Sequence, residues 1–208
     1  MTTEQHIETL EGTERVEMFS DGVIAIIITI LILEIHVPDI TVLTNAGAWE
    51  AIVPIIPKLV TFLLSFVTVA IFWVNHHHFF YLIKKSDANL LWYNNHLLFW
   101  LAVIPFVTAF LGDYPALPLV VSLYGFVLFM GSLAFALMSN YVFFRSKLLP
   151  ESVTVGMRKA QFKRSLLGVG LYAASALLAF VSVYISLALF VVVPVYYFLP
   201  QLARKKQV

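Results

Sequence analysis

Long apolar runs alternate with short polar breaks along the whole chain. The runs fall at roughly 18–37, 57–80, 90–111, 117–144, 165–182 and 184–200. Each is close to the length of about 20 residues with which an α-helix crosses a bilayer. The last two are separated only by a turn near Ser182 to Ser186, which predicts a helical hairpin. The stretch "AWEAIVPIIP" ahead of the second run is expected at the membrane interface. The pattern therefore predicts an all-α membrane protein, with six transmembrane helices in a single domain spanning 1–208.

Composition strengthens this reading. Apolar residues make up 61% of the 208, against about 45–50% in an average soluble domain, and the mean hydropathy is +0.90. Charged residues are 12% and cluster between the apolar runs. The net charge of +1 says little, because in a membrane protein the position of charge matters more than its sum. The absence of cysteine excludes disulfides and thiolate chemistry. The N-terminus carries Glu4, Glu8, Glu11, Glu14 and Glu17 against Arg15, the reverse of the basic opening of a signal peptide.

Charge position fixes the expected orientation. With six spans and the N-terminus inside, the cytosolic side receives Arg15, Lys84, Lys85, Arg145, Lys147 and the cluster Arg158, Lys159, Lys163 and Arg164, together with Arg204, Lys205 and Lys206. The outside receives at most Lys58. This bias predicts cytosolic N- and C-termini. The stretch "RSKLLPESVTVGMRKAQFKR" is read as a basic cytosolic loop whose charges set topology, with no nucleic-acid partner.

The first apolar run is short and lies between two acids, Asp21 and Glu34, 13 positions apart. Its apolar band is roughly 20 Å long at 1.5 Å per residue, against about 30 Å of hydrocarbon. Intramembrane acids prefer a bundle interior or a water-filled cavity. The helix is therefore expected at the centre of an assembly, with water reaching it from both ends. Helical spacing puts Gly22, Ile26, Thr29, Ile30 and Leu33 on one side and Ile24, Ile27, Ile28, Leu31 and Ile35 on the other. Both sides are apolar. Periodicity alone leaves open which one faces water, and on composition alone plain core packing is favoured over a pore.

The run "NHHH", Asn75 to His78, raises the question of a metal. Neighbouring helix positions point about 100° apart, whereas zinc favours converging ligands such as a His pair at i and i+4. No metal site and no cofactor is predicted. Membrane depth gives a better account. If the first helix starts in the cytosol and the second ends there, Asp21 lies level with His76, His77 and His78. The third helix brings Asn94, Asn95 and His96 to the same level. The expectation is a polar layer in which Arg15, Ser20 and Asp21 bond to these groups, with His77 as first partner and His76 as second. At the outer end, Glu34, with His36 and Asp39, is expected to form an acidic vestibule attractive to cations. Gly168, Gly170, Ala173, Ala174 and Ala176 read as close-packing positions.

Arg15, Phe19, Ser20 and Asp21 stand as R-x-x-x-F-S-D at the opening of the first helix. This resembles the signature of the transmembrane-protein-175 family, the lysosomal potassium channels and their prokaryotic relatives. The continuation "GVIAIIITILILEI" and the stretch "FWVNHHHFF" are similar to prokaryotic members as well. The resemblance implies a multi-pass channel of a prokaryotic cell membrane, selective for potassium ions. It implies a homotetramer in the lipid bilayer, because this chain carries a single six-helix repeat, with the first helix of each chain lining a central pore. By the same resemblance the constriction, a hydrophobic gate, falls to Ile26, Thr29 or Ile30, and Leu33. The signature residues would tie the first helix to its neighbours. Nothing in the chain resembles the T-V-G-Y-G filter of other potassium channels. The alternatives are a proton-conducting channel, with Asp21, His77 and Glu34 as titrating groups, and a secondary transporter. A transporter would show broken helices at mid-membrane, for which Pro105 and Pro194 are the candidates. No convergent nucleophile, base or metal suggests an enzyme.

Overall fold

In the computed structural model, residues 12–204 are described, with side chains through Tyr197. Glu4, Glu8 and Glu11, and Lys205 and Lys206, lie outside the described residues. The elements are α1 (Glu14–Ile30), α2 (Asn45–Ile52), α3 (Ile56–Phe80), α4 (Ala88–Asp113), α5 (Pro118–Asn140), α6 (Val155–Leu178) and α7 (Val183–Arg204). Helix α2 is short, so six long helices form the bundle. Among the described residues, four helical stretches are long and apolar enough to cross a membrane: Glu14–Glu34, Asn45–Phe80, Ala88–Asp113 and Pro118–Arg145. The described part of α7, Val183–Tyr197, is a shorter apolar helix.

Two expected boundaries need correction. The first helix was expected over roughly 18–37. Its α-helical part instead runs from Glu14 to Ile30, tightens into a 3-10 turn over Leu31–Glu34, and ends where Ile35 becomes extended. Three residues later Pro38 cannot donate to a continuing helix. The fifth was expected from about 165, with a basic loop before it. The second half of that "loop" is helix: Thr154 caps it by accepting a bond from the Met157 amide at 3.3 Å. Arg158, Lys159, Lys163 and Arg164 thus sit on the first three turns of α6, a hydrophilic opening that hydropathy alone had assigned to a connection.

Local chemistry explains the other ends. Asp87 caps α4, its Oδ1 accepting from the Leu90 amide at 2.8 Å, while its Oδ2 accepts from the Tyr141 hydroxyl at 2.5 Å. An Asp at this position satisfies an amide that the helix leaves orphaned. Pro118 opens α5, where its missing N–H costs nothing. The end of α5 widens into a π turn over Tyr141–Arg145, braced by the Arg158 guanidinium, which donates to the Val153 and Phe143 carbonyls. Helix α4 runs without a break through Pro105, and α7 runs through Pro194.

Helix α5 is the centre of the bundle and packs most heavily on α4 and α6. Small residues allow this: a Cβ on Gly125 would stand 3.1 Å from the Ala176 backbone, a tight contact that glycine avoids. Gly168 is likewise enclosed, next to Tyr197 and Ser132, whereas Gly170 has nothing within 4 Å of a built Cβ. The α6–α7 hairpin is stitched reciprocally. The Ser186 hydroxyl donates to the Ser175 carbonyl at 2.8 Å, and the Ser175 hydroxyl returns a bond to the Ser186 carbonyl at 3.2 Å.

Helix α1 stands at the edge of this bundle and packs on α3 and α4. Its buried stripe is Val16, Ser20, Ile24 and Ile27, continued by Leu31. That spacing of four, four, three and four is one face of a helix. Only 28% of its most apolar stretch is buried inside the chain, the same share as in the stretch Asn45–Phe80 that contains α3, against 56% for α5.

Candidate functional site

The face of α1 turned away from the bundle is apolar and open. Gly22, Ile26, Thr29, Ile30 and Leu33 are all exposed, Ile26 at 59% and Leu33 at 69%. The Thr29 hydroxyl bonds back to its own helix, to the Ala25 carbonyl at 3.0 Å and the Ile26 carbonyl at 2.9 Å. This quenches its polarity toward the outside. Beside the open face, a groove of about 440 Å³ runs between α1 and α4, walled by Ile26, Ile27 and Ile30 on one side and Pro105 and Phe106 on the other. Glu34 lies half-buried and joins the lining of this groove.

A polar cluster backs the same helix from inside. The beginning of α1, the end of α3 and the beginning of α4 meet there. The opposite level is marked by the ion pair of Lys58 with Asp113, at 2.5 Å. Three polar side chains of the cluster are essentially inaccessible: Ser20 at 0%, His76 at 1% and Asn94 at 1%. The Ser20 hydroxyl donates to the Val16 carbonyl at 2.7 Å, so its lone pair accepts from Asn94 Nδ2 at 2.9 Å. The amide oxygen of Asn94 then faces His76 Nε2 at 2.8 Å. An amide oxygen is only an acceptor, so His76 must carry its proton on Nε2. The chain of donors runs one way, from His76 through Asn94 and Ser20 to the backbone of α1. The His76 ring also stacks on Phe80, with centroids 4.4 Å apart.

Asp21 lies one residue farther round α1, half-buried at the edge of this cluster. Its Oδ1 accepts from the Trp73 indole N–H at 2.8 Å. The Trp73 ring in turn lies against His77, with centroids 5.9 Å apart.

Ser20, Asp21, His76 and Asn94 of the expected groups are hydrogen-bonded here, but the pairings differ from those expected. His77 was the first choice as partner of Asp21, but its side chain is exposed, and the bond to Asp21 comes from Trp73. His76 is the buried histidine, and its partner is Asn94. Asn95 points outward and is exposed. Arg15 and Phe19 are also exposed and take no part in the inner cluster. Physically, one helix turn allows one of three consecutive histidines to face the core, and the core stripe of α3 selects it. Val69, Phe72, His76, Phe79 and Phe80 are all buried, spaced as a single face. The same rule selects Asn94 through Leu90, Leu97, Leu98 and Leu101. Trp73 is the residue that sequence reasoning missed; Asn94 was expected at this level beside Asn95 and His96, and the periodicity of α4 is the signal that singles it out.

The comparisons with known proteins agree with the resemblance. The family described as the endosomal/lysosomal potassium channel TMEM175 matches residues 15–105, which hold α1 from its second residue, α2, α3 and most of α4. A potassium channel of Chamaesiphon minutus is 32% identical over 188 residues, covering 89% of this chain and 93% of that protein. A potassium channel of Chryseobacterium is 41% identical over 128 residues, 62% of this chain and 64% of that protein. The crystal structure of a lysosomal potassium-selective channel TMEM175 homolog from Chamaesiphon minutus superposes with a TM-score of 0.80 at 31% identity, covering 90% of this chain and 97% of that one. The human endosomal/lysosomal proton channel TMEM175 is 24% identical, and the match spans 32% of its length. Similarity of sequence and fold to the Chamaesiphon channel over about nine-tenths of both chains places this integral membrane protein in the TMEM175 family of ion channels.

Proposed function

We propose that the protein is a potassium-selective cation channel, assembled as a homotetramer with α1 of each chain around a central pore and with both termini in the cytosol. One observation carries this reading. Between Asp21 and Glu34 the first helix is apolar on all sides yet is buried on one face only, and its open face presents Ile26, Ile30 and Leu33, with Thr29 among them. A helix that is hydrophobic all round needs cover on all sides, and an apolar span of roughly 20 Å between acids is too short to be matched by lipid. Copies of the chain meeting at an axis would give the face its cover.

In such an assembly the rings of Ile26 and Leu33, with Thr29 and Ile30 between them, form the constriction. Apolar rings offer an ion no ligands, so a dry closed pore opposes permeation by dewetting. Glu34 stands at the outer end, where a ring of carboxylates raises the local cation concentration. The His76–Asn94–Ser20 chain and the Asp21–Trp73 bond hold α1 against α3 and α4, which positions the lining face. The names of the bacterial relatives support potassium as the permeant ion. The continuity of α4 through Pro105 and α7 through Pro194 speaks against the broken helices of a secondary transporter, and the ion-channel family speaks against an enzyme.

A second reading rests on the animal relatives, which are named proton channels. One experiment separates the two. Purified protein in planar bilayers, under opposing gradients of potassium, sodium and protons, is expected to reverse close to the potassium equilibrium potential. Reversal at the proton equilibrium potential would favour the second reading, and the absence of any current would count against a channel of either kind. Native mass spectrometry of the purified protein is expected to show four chains.

A further inference from the structure

The bundle contains a second cavity, far from the open face of α1. It measures about 360 Å³ and lies among α3, α5, α6 and α7, within the usual range of small-molecule sites of about 300–1,000 Å³. Its mouth is at the end of the bundle where α3 finishes and α6 begins. Exposed His78, Tyr81, Met157 and Gln161 surround the mouth. Inside, Phe72, Phe79 and Phe135 provide aromatic walls.

Arg164 lines the same cavity. Its guanidinium reaches the Tyr197 carbonyl only at 3.4 Å, and its carbon lies 5.3 Å from the Tyr197 ring centroid. Its Nε–H is buried and has no hydrogen-bond partner among the described residues. A guanidinium so short of partners is costly to hold away from water, and an acid in the cavity compensates its charge best. No carboxylate belongs to the described lining. Arg158, Lys159 and Lys163 on the adjacent turns of α6 add positive charge near the mouth, so the field favours an anion.

We propose that this cavity binds an anionic amphiphile, whose acidic head (carboxylate or phosphate) meets Arg164 and whose apolar part lies against Phe72, Phe79 and Phe135. The proposal concerns a site away from the proposed pore, and its readout is binding, so it stands or falls independently of ion permeation.

The test is equilibrium binding of radiolabelled decanoate and of uncharged decanol to the intact protein in phosphatidylcholine nanodiscs, with empty discs subtracted. Saturable decanoate binding is expected, with decanol weaker by about tenfold or more, as the loss of a charge-assisted bond implies. Arg164→Gln is expected to weaken decanoate binding about tenfold, and Arg164→Lys, which keeps the charge, about threefold. Arg164 also contacts Tyr197, so Gln161→Trp, at an exposed position of the mouth, serves as a second variant and is expected to block entry. Phosphatidylglycerol in the disc that displaces decanoate identifies a membrane lipid as the source, and failure to displace identifies a free acid; both support the proposal. Equal binding of decanol, unchanged binding in both the Gln and the Trp variants, no saturable site, or displacement by inorganic phosphate alone would overturn it.

Discussion

His76 Nε2 lies 2.8 Å from Asn94 Oδ1, in a setting where neither side chain is more than 1% exposed. This bond, between the end of α3 and the start of α4, decides how α1 is held, because the other end of the Asn94 amide is spent on Ser20 of α1. Removing Asn94 orphans a donor on His76 and an acceptor on Ser20 together.

Asn94→Leu is therefore expected to destabilise the protein by about 1–3 kcal/mol on soluble-protein values, toward the low end in a membrane. Asn95→Leu, at the exposed neighbouring position, is expected to change stability by less than about 0.5 kcal/mol. Thermal denaturation followed by size-exclusion chromatography compares the two. Equal losses would mean that the inner cluster does not bear on stability.

The Asp21–Trp73 bond gives a second prediction. Asp21→Ala and Trp73→Phe each remove one partner of the same hydrogen bond. Their effects on assembly stability are expected to be less than additive, with a coupling of about 0.5–1.5 kcal/mol. Pairing His77→Ala with Asp21→Ala is expected to give a smaller coupling, since His77 reaches Asp21 only through the Trp73 ring. A larger coupling to His77 than to Trp73 would contradict the geometry.

The glycines separate by their surroundings. Gly125→Val would drive a side chain into the Ala176 backbone, which a built Cβ already approaches to 3.1 Å. The expected cost is about 1–3 kcal/mol or more, seen as lost expression of folded protein. Gly170→Ala meets open space in the middle of α6 and is expected to be neutral or to stabilise by up to about 1 kcal/mol. Melting temperatures of the two variants check both.

Much of this was legible in the chain. The six long helices follow from apolar runs of membrane length, and the α6–α7 hairpin from the short break near Ser182. The start of α6 was not legible, because a helix whose first three turns carry Arg158, Lys159, Lys163 and Arg164 has the hydropathy of a loop. The Thr154 cap was the available signal. The common depth of Asp21, the histidines and the asparagines followed from topology. The members of the cluster depend on rotation about the helix axis, where one residue is worth about 100°. Depth cannot distinguish His76 from His77 or Asn94 from Asn95, whereas the apolar stripes of α3 and α4 can. The Trp73 bond to Asp21 depends on how α1 leans against α3, which no single helix pattern encodes.

The central claim is that the open face of α1 lines an ion pathway, and it rests on the contrast between exposed Ile26, at 59%, and buried Ile27, at 4%. The most direct measurement is the reversal potential, in planar bilayers under a potassium/sodium gradient, of Ile26→Asn beside Ile27→Asn. Ile26→Asn is expected to wet the constriction, giving larger currents and a reversal potential shifted from the wild-type value toward zero. Ile27→Asn, facing α3 and α4, is expected to lower the yield of assembled protein and leave the reversal potential of the surviving channels unshifted. A shifted reversal potential in Ile27→Asn, with Ile26→Asn indistinguishable from wild type, would contradict the account by showing that the other face of α1 meets the ions.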